Sequence, residues 1–220
     1  MYELGLYEKS MPNTLSFKEK LETVKATGFD FLEMSVDETD EKLARLEWTK
    51  EERLELVKTM YETGVSIRSM CLSGHRKYPF GSHDASVRER SMEIMEKAIE
   101  LADDLGIRVI QLAGYDVYYE EGDADTLEFF IDNLKKATLL AAQKGIVLGF
   151  ETMETPFMNT VEKSMRFVNL VDSPYLQVYP DSGNLKNASL EPGAKNVYED
   201  IELVFVVSLV NSGMLDKKTG

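Results

Sequence analysis

Gly145-Ile146-Val147-Leu148-Gly149-Phe150-Glu151 is an apolar run that ends in a carboxylate. It is too short for a buried helix and is bounded by glycine, so it reads as a strand buried on both faces. A charge at the exit of such a strand is costly unless something pairs with it. In alternating α/β chains the carboxyl ends of parallel strands are where sites are built. The pattern returns in Leu176-Gln177-Val178-Tyr179-Pro180-Asp181. Glu151 and Asp181 therefore read as two ligands of one metal site. Spacing alone leaves a second reading equally open, in which each carboxylate caps a following helix or pairs with a nearby lysine.

Working outward, the same strand-then-helix grammar covers most of the chain. Strands are expected over Glu3 to Tyr7, Phe29 to Val36, Val65 to Leu72, Ile107 to Ala113 and Tyr175 to Tyr179, besides the one quoted. Between them, Ser16-Phe17-Lys18-Glu19 has the form of a capping box and Thr49 caps a second helix. Leu54, Val57, Met60 and Tyr61 are expected on the inner face of that helix. Helices are also expected over Asp84 to Leu105, with Met92, Met95, Ile99 and Ala102 inward, over Asp125 to Lys144, and over Asn159 to Val171. Gly28, Gly64, Gly106 and Gly145 each close a helix just before an apolar strand. Such alternation leaves an open doubly wound sheet or a (β/α)8 barrel. No Gly-x-Gly-x-x-Gly follows the first strand, which removes the main support for a dinucleotide fold. Polar residues at the strand exits (Glu8, Glu33, His75, Tyr115, Glu151, Asp181) favour the barrel.

A barrel of this kind takes about 250 residues. Six units are used by Asp181. Ala194 to Glu202 looks helical, and Leu203 to Val210 is an apolar stretch of strand length with no polar exit residue. The expected architecture is thus an incomplete (β/α)8 TIM barrel: one partial domain over residues 1–220, six units plus a seventh strand, with an aberrant segment over 203–220.

Formal net charge is −14, from 39 acidic against 25 basic residues. This argues against a general nucleic-acid or anionic-membrane surface. It leaves room for a small phosphorylated substrate held by a local basic pocket. The single cysteine, Cys71, forms no internal disulfide and reads as inert and buried. No signal peptide is read in Met1 to Ser10, and no stretch reaches the roughly 18 apolar residues of a membrane span. The cytoplasm is the expected location.

Several phrases go further: Gly5-Leu6-Tyr7-Glu8-Lys9; Gly28 to Asp40, around Phe31-Leu32-Glu33-Met34-Ser35; Ser69-Met70-Cys71-Leu72-Ser73; Gly106 to Tyr119, around Gln111-Leu112-Ala113-Gly114-Tyr115; and Tyr179-Pro180-Asp181 with Gly183-Asn184. Through them the chain, to about Glu202, resembles the L-ribulose-5-phosphate 3-epimerases, also called L-xylulose-5-phosphate 3-epimerases and hexulose-6-phosphate isomerases, of the xylose-isomerase-like TIM barrels. The resemblance implies C3 epimerisation of a ketopentose 5-phosphate in pentose and ascorbate catabolism. It implies a divalent metal, Mn²⁺ first, with Mg²⁺, Co²⁺ or Zn²⁺ as alternatives. Glu151 and Asp181 would be ligands, and Glu151 one of two acid–base groups. The family's third ligand is a histidine after strand seven and its fourth a glutamate after strand eight. Here the only histidines are His75 and His83, and the last candidate strand offers Ser208 and Asn211.

Tyr7, Lys9, Glu33, His75, Arg76 and Tyr115 are the candidate substrate-binding residues. All but Glu33 also have a plainer reading: a surface salt bridge at the Tyr7–Glu8–Lys9 corner, a solvated loop for His75 and Arg76, aromatic loop packing for Tyr115. The expected partner is a sugar phosphate, without nucleic acid or membrane, and the resemblance allows a homodimer. The competing function is a catalytically inactive fragment that at most binds sugar phosphate weakly or self-associates. A phosphodiesterase-type endonuclease on the same barrel would use a His-rich multi-zinc site, which two histidines and an acidic surface disfavour.

Overall fold

The computed structural model describes residues 3–191 and 193–203. The expected seventh strand and the aberrant segment beyond Leu203 lie outside the described residues. The elements alternate in the order β1 (Gly5–Tyr7), α1 (Phe17–Ala26), β2 (Phe31–Val36), α2 (Asp40–Leu43), α3 (Lys50–Thr63), β3 (Ser66–Leu72), α4 (Ala85–Leu105), β4 (Val109–Ala113), α5 (Ala124–Gln143), β5 (Val147–Glu151), α6 (Val161–Val171), β6 (Leu176–Tyr179) and α7 (Ser182–Ala188). Residues 197–203 are helical. The strands form one sheet in the order β1-β2-β3-β4-β5-β6, every neighbouring pair parallel. This is the sequential strand order of a (β/α) barrel, with β1 and β6 as edges among the described residues.

The local grammar explains the elements. Ser16 and Thr49 each accept the backbone N–H three residues on, while Glu19 and Glu52 reach back to the cap N–H, which satisfies otherwise orphaned donors. Gly64 and Gly106 end α3 and α4 at φ of 73° and 76°, a left-handed conformation open to glycine at little cost.

Side chains alternate along each strand. Leu32, Met34, Val36, Ile110, Leu112, Leu148, Phe150 and Leu176 are buried with at most 2% exposure and pack toward the helices. Phe150 lies 6.1 Å from Phe130 of α5 and 6.2 Å from Phe167 of α6, centroid to centroid. The other set, Tyr7, Glu33, Ser69, Cys71, Gln111, Glu151 and Tyr179, turns to the concave side of the sheet. The apolar core therefore lies between sheet and helices, and polar chemistry lines the barrel interior.

Two features depart from expectation. In α3 the buried face is Leu56, Met60 and Thr63, while Leu54 and Tyr61 are 67% and 89% exposed. Apolar residues recur at helical spacing on two flanks, and packing against α1 and α4 selects the one centred on Met60. The short helices α2 and α7 were not expected, because helices of four and seven residues are too brief to show a period.

Candidate active site

The strand ends gather most of the predicted residues around one cavity of about 590 Å³, lined by Tyr7, Lys9, Glu33, Arg76, Glu151 and Asp181 among others. Glu151 is the last residue of β5 and stands opposite Tyr179 of β6 in the parallel register. The junction is tight. A Cβ on Gly114, after β4, would lie 2.5 Å from the Glu151 carbonyl oxygen and 2.9 Å from Met158 Sδ, so only glycine lets the β4 exit lie against Glu151. Burial, then the charges of Asp181, Glu33 and Glu154, push the Glu151 carboxyl up to about 7, with Gln111 hydrogen bonding acting against them.

Asp181 follows β6 and caps α7. Its Oδ1 accepts the Asn184 N–H at 2.7 Å, and its own N–H donates to Thr152 Oγ1 at 2.9 Å. Asn184 Nδ2 donates to the Thr152 carbonyl at 2.9 Å. Asp181 is thus a helix cap, as the plainer reading held, and it also lies at the cavity beside Glu151. Capping occupies Oδ1; Oδ2 accepts no hydrogen bond among the described residues. The donor chemistry of Glu151 and Asp181, hard oxygens in mutual repulsion, fits a divalent cation such as Mn²⁺ or Mg²⁺. They are two donors of what such an ion needs: among the described residues no three His, Cys, Asp or Glu side chains converge into a metal-holding group.

Lys9 is ion-paired to Asp37 at 2.6 Å with its side chain 41% exposed, at the cavity rim. The Arg76 guanidinium packs over the Tyr118 ring, 4.8 Å from its centroid. The Tyr7 hydroxyl lies 3.4 Å from Ser35 Oγ and 3.5 Å from Cys71 Sγ, within hydrogen-bond reach of either, and burial raises its phenol well above the ordinary range. Burial also pushes the Cys71 thiol up to about 11, which keeps it protonated and unreactive.

The structure turns two predicted residues away from the cavity. His75 is 5% exposed, stacks on Phe80 at 4.5 Å, and donates Nε2–H to the Ser91 carbonyl at 3.0 Å. Because a carbonyl only accepts, the neutral imidazole carries its proton on Nε2. The 3₁₀ turn Ser73–Arg76 puts Arg76 at the cavity and His75 in the core. Tyr115 is 3% exposed and packs 5.1 Å from Tyr118, behind the cavity wall rather than in it. Glu8, a polar strand exit in the sequence, is fully buried and also turns from the site. It accepts Lys20 Nζ and Lys42 Nζ at 2.7 Å and Arg45 through two bonds at 2.6 and 2.7 Å.

Gln111, Cys71 and Tyr179 are among the cavity residues that the sequence reading missed. The available signal was alternation. Tyr179 stands two positions before Asp181, Gln111 stands mid-strand in an otherwise apolar run, and Cys71 shares a strand face with Ser69.

The comparisons agree with this architecture. The family model described as xylose isomerase-like TIM barrel matches residues 21–210. The chain is 50% identical over 182 residues to the L-ribulose-5-phosphate 3-epimerase of Escherichia coli O157:H7, covering 83% of this chain and 64% of that protein. The same figures hold for the L-ribulose-5-phosphate 3-epimerase of Shigella boydii serotype 18. The chain thus spans about 64% of the length of these curated relatives. Among solved structures, a D-psicose 3-epimerase crystallised in the presence of D-fructose superposes with a TM-score of 0.73 at 19% identity, covering 86% of this chain and 67% of that one. An L-ribulose 3-epimerase superposes with a TM-score of 0.68 at 19% identity, covering 87% and 64%. The family match over most of the chain, the sequential parallel sheet and the strand-end cavity converge: the chain belongs to the xylose isomerase-like TIM barrel family.

Proposed function

We propose that the chain carries metal-dependent 3-epimerase chemistry on a ketopentose 5-phosphate, L-ribulose 5-phosphate or L-xylulose 5-phosphate. The observation that carries the reading is the placement of Glu151, at the end of β5, beside Asp181 in the strand-end cavity. The names of the relatives supply the substrate class. The C2 carbonyl of a 2-ketose acidifies the C3 proton. Glu151, a cavity carboxylate made more basic by burial and by its acidic neighbours, is suited to take that proton. Lys9 and Arg76 at the rim would meet the phosphate dianion. A divalent cation held by Glu151 and Asp181 would supply positive charge against the developing charge on O2 and O3. Return of a proton to the opposite face then inverts C3.

The test is solvent deuterium incorporation at C3 of L-ribulose 5-phosphate, followed by NMR with added Mn²⁺. Exchange with conversion to L-xylulose 5-phosphate supports the full reading. Exchange without conversion restricts it to proton abstraction by Glu151. No exchange from demonstrably folded protein overturns it and leaves a chain that at most binds the sugar phosphate.

A further inference from the structure

We infer that Tyr179 is a positioning residue that fixes Glu33 as an oriented hydroxyl acceptor in the cavity. For its ligand the inference rests on the function proposed above; for the rest it rests on geometry. Tyr179 reaches across the barrel interior from β6 to β2, where its hydroxyl donates to Glu33 Oε2 at 2.9 Å. Ser69 of β3 donates to the same oxygen at 2.7 Å. Both donors therefore serve one carboxylate oxygen. Glu33 Oε1 accepts no hydrogen bond among the described residues, and Glu33 lines the cavity. A carboxylate clamped in this way presents one oxygen in a set direction, which suits a hydroxyl of a polyol.

Two backbone features make room for this arrangement. The first is Gly149 on β5. A Cβ there would lie 3.2 Å from Tyr179 Cβ and 3.6 Å from its ring Cδ2, so the bare glycine leaves space for the tyrosine. The second is the register slip between β2 and β3, where Leu32 pairs with Ile67 but Glu33 pairs with Ser69. Without that extra residue Arg68 would stand opposite Glu33. The bulge re-aims the strand so that a neutral donor takes the place of a guanidinium.

The consequence is specificity. A ligand that lacks the matching hydroxyl would leave a half-buried, fixed acceptor unpaired in the cavity, which polar sites penalise. Packing alone does not require the phenol oxygen, so Tyr179→Phe isolates its role.

The experiment has two readouts. Calorimetry measures the affinity of the full chain for L-ribulose 5-phosphate with Mn²⁺ present, and crystallography of unliganded Tyr179→Phe locates Glu33. The expected result is roughly ten-fold weaker binding, with Tm lowered by only a few degrees and the Glu33 carboxylate displaced from its wild-type orientation. Ser69→Ala should move affinity in the same direction. In a Glu33→Ala background Tyr179→Phe should add no further loss. Wild-type affinity in the Phe variant, an undiminished loss in the Ala background, or an unmoved Glu33 in the Phe variant overturns the inference. Absence of binding by the wild-type chain defeats the proposed function instead, and the position of Glu33 in the Phe variant then decides the inference by itself.

Discussion

Glu151 illustrates how one side chain acquires its chemistry from its surroundings. Its strand buries it, and its neighbours Asp181, Glu33 and Glu154 oppose its ionisation. Glu151→Gln should lower C3 deuterium exchange by about 10²–10⁴-fold while Tm holds or rises, because a repelling carboxylate is lost. Exchange at the wild-type rate would remove Glu151 from the proton transfer. His75 makes a different prediction. Burial lowers its imidazole from 6.5 to about 4. The unfolded chain therefore takes up a proton first as pH falls, so His75 favours the fold above pH 6.5 and that contribution is lost between 6.5 and 4. The loss is on the order of 3 kcal/mol, read as a falling urea midpoint, and His75→Gln should flatten the slope in that window. Glu151 and Asp181 were legible in the sequence because a carboxylate ending an apolar run has few places to go. His75 was misplaced because neighbours in a 3₁₀ turn diverge, and nothing in Ser73-Gly74-His75-Arg76 says which side chain faces the core.

At the scale of elements, Glu8 ties together pieces that are separate in sequence. Lys20 comes from α1, Lys42 from α2 and Arg45 from the turn after it, and the Ser35 N–H of β2 adds a further bond at 2.9 Å. Burial alone would raise the Glu8 carboxyl, but Arg45, Lys20 and Lys42 outweigh it and hold the group well below the ordinary range. Its stabilisation is therefore complete above the unfolded value of 4.5 and is lost as pH falls from there toward the folded value. Glu8→Gln removes the carboxylate that alone, among the described residues, pairs with three buried cations, and should cost about 3–5 kcal/mol. Chemical denaturation at pH 7 measures it, and a change below 1 kcal/mol would mean the cations find other partners. The cage was illegible in the sequence. Glu8 followed a strand as Glu151 does, but no local rule distinguishes a carboxylate that faces a cavity from one that closes on lysines brought in by two later elements. Helix caps were legible for the opposite reason, since a capping box is complete within four residues.

For the whole molecule, alternation narrowed the fold to a doubly wound sheet or a barrel, and the absent glycine fingerprint with the polar strand exits favoured the barrel, which is why the barrel class was readable before any coordinates. Its depth was not: the bulge between β2 and β3 and the reach of Tyr179 depend on register, which no single strand encodes. A cation that binds only the folded chain should raise its stability by about 2.7 kcal/mol at a hundred-fold excess over its dissociation constant. Thermal unfolding across a Mn²⁺ series should show a concentration-dependent rise that a chelator reverses. Asp181→Asn should blunt the rise while sparing α7, because asparagine caps as well as aspartate. A flat series would argue against the two-carboxylate site. The sheet also carries a timetable. Each strand after β1 pairs with the one made just before it, and every partner of Glu8 among the described residues lies within the first 45 residues. The Glu33–Tyr179 bond spans 146 residues. As a chain emerges from the ribosome amino end first, the caged corner can assemble early, whereas the cavity wall waits for β6. Nascent chains released before Tyr179 should already protect α1 to α3 from protease while leaving Glu33 without its clamp.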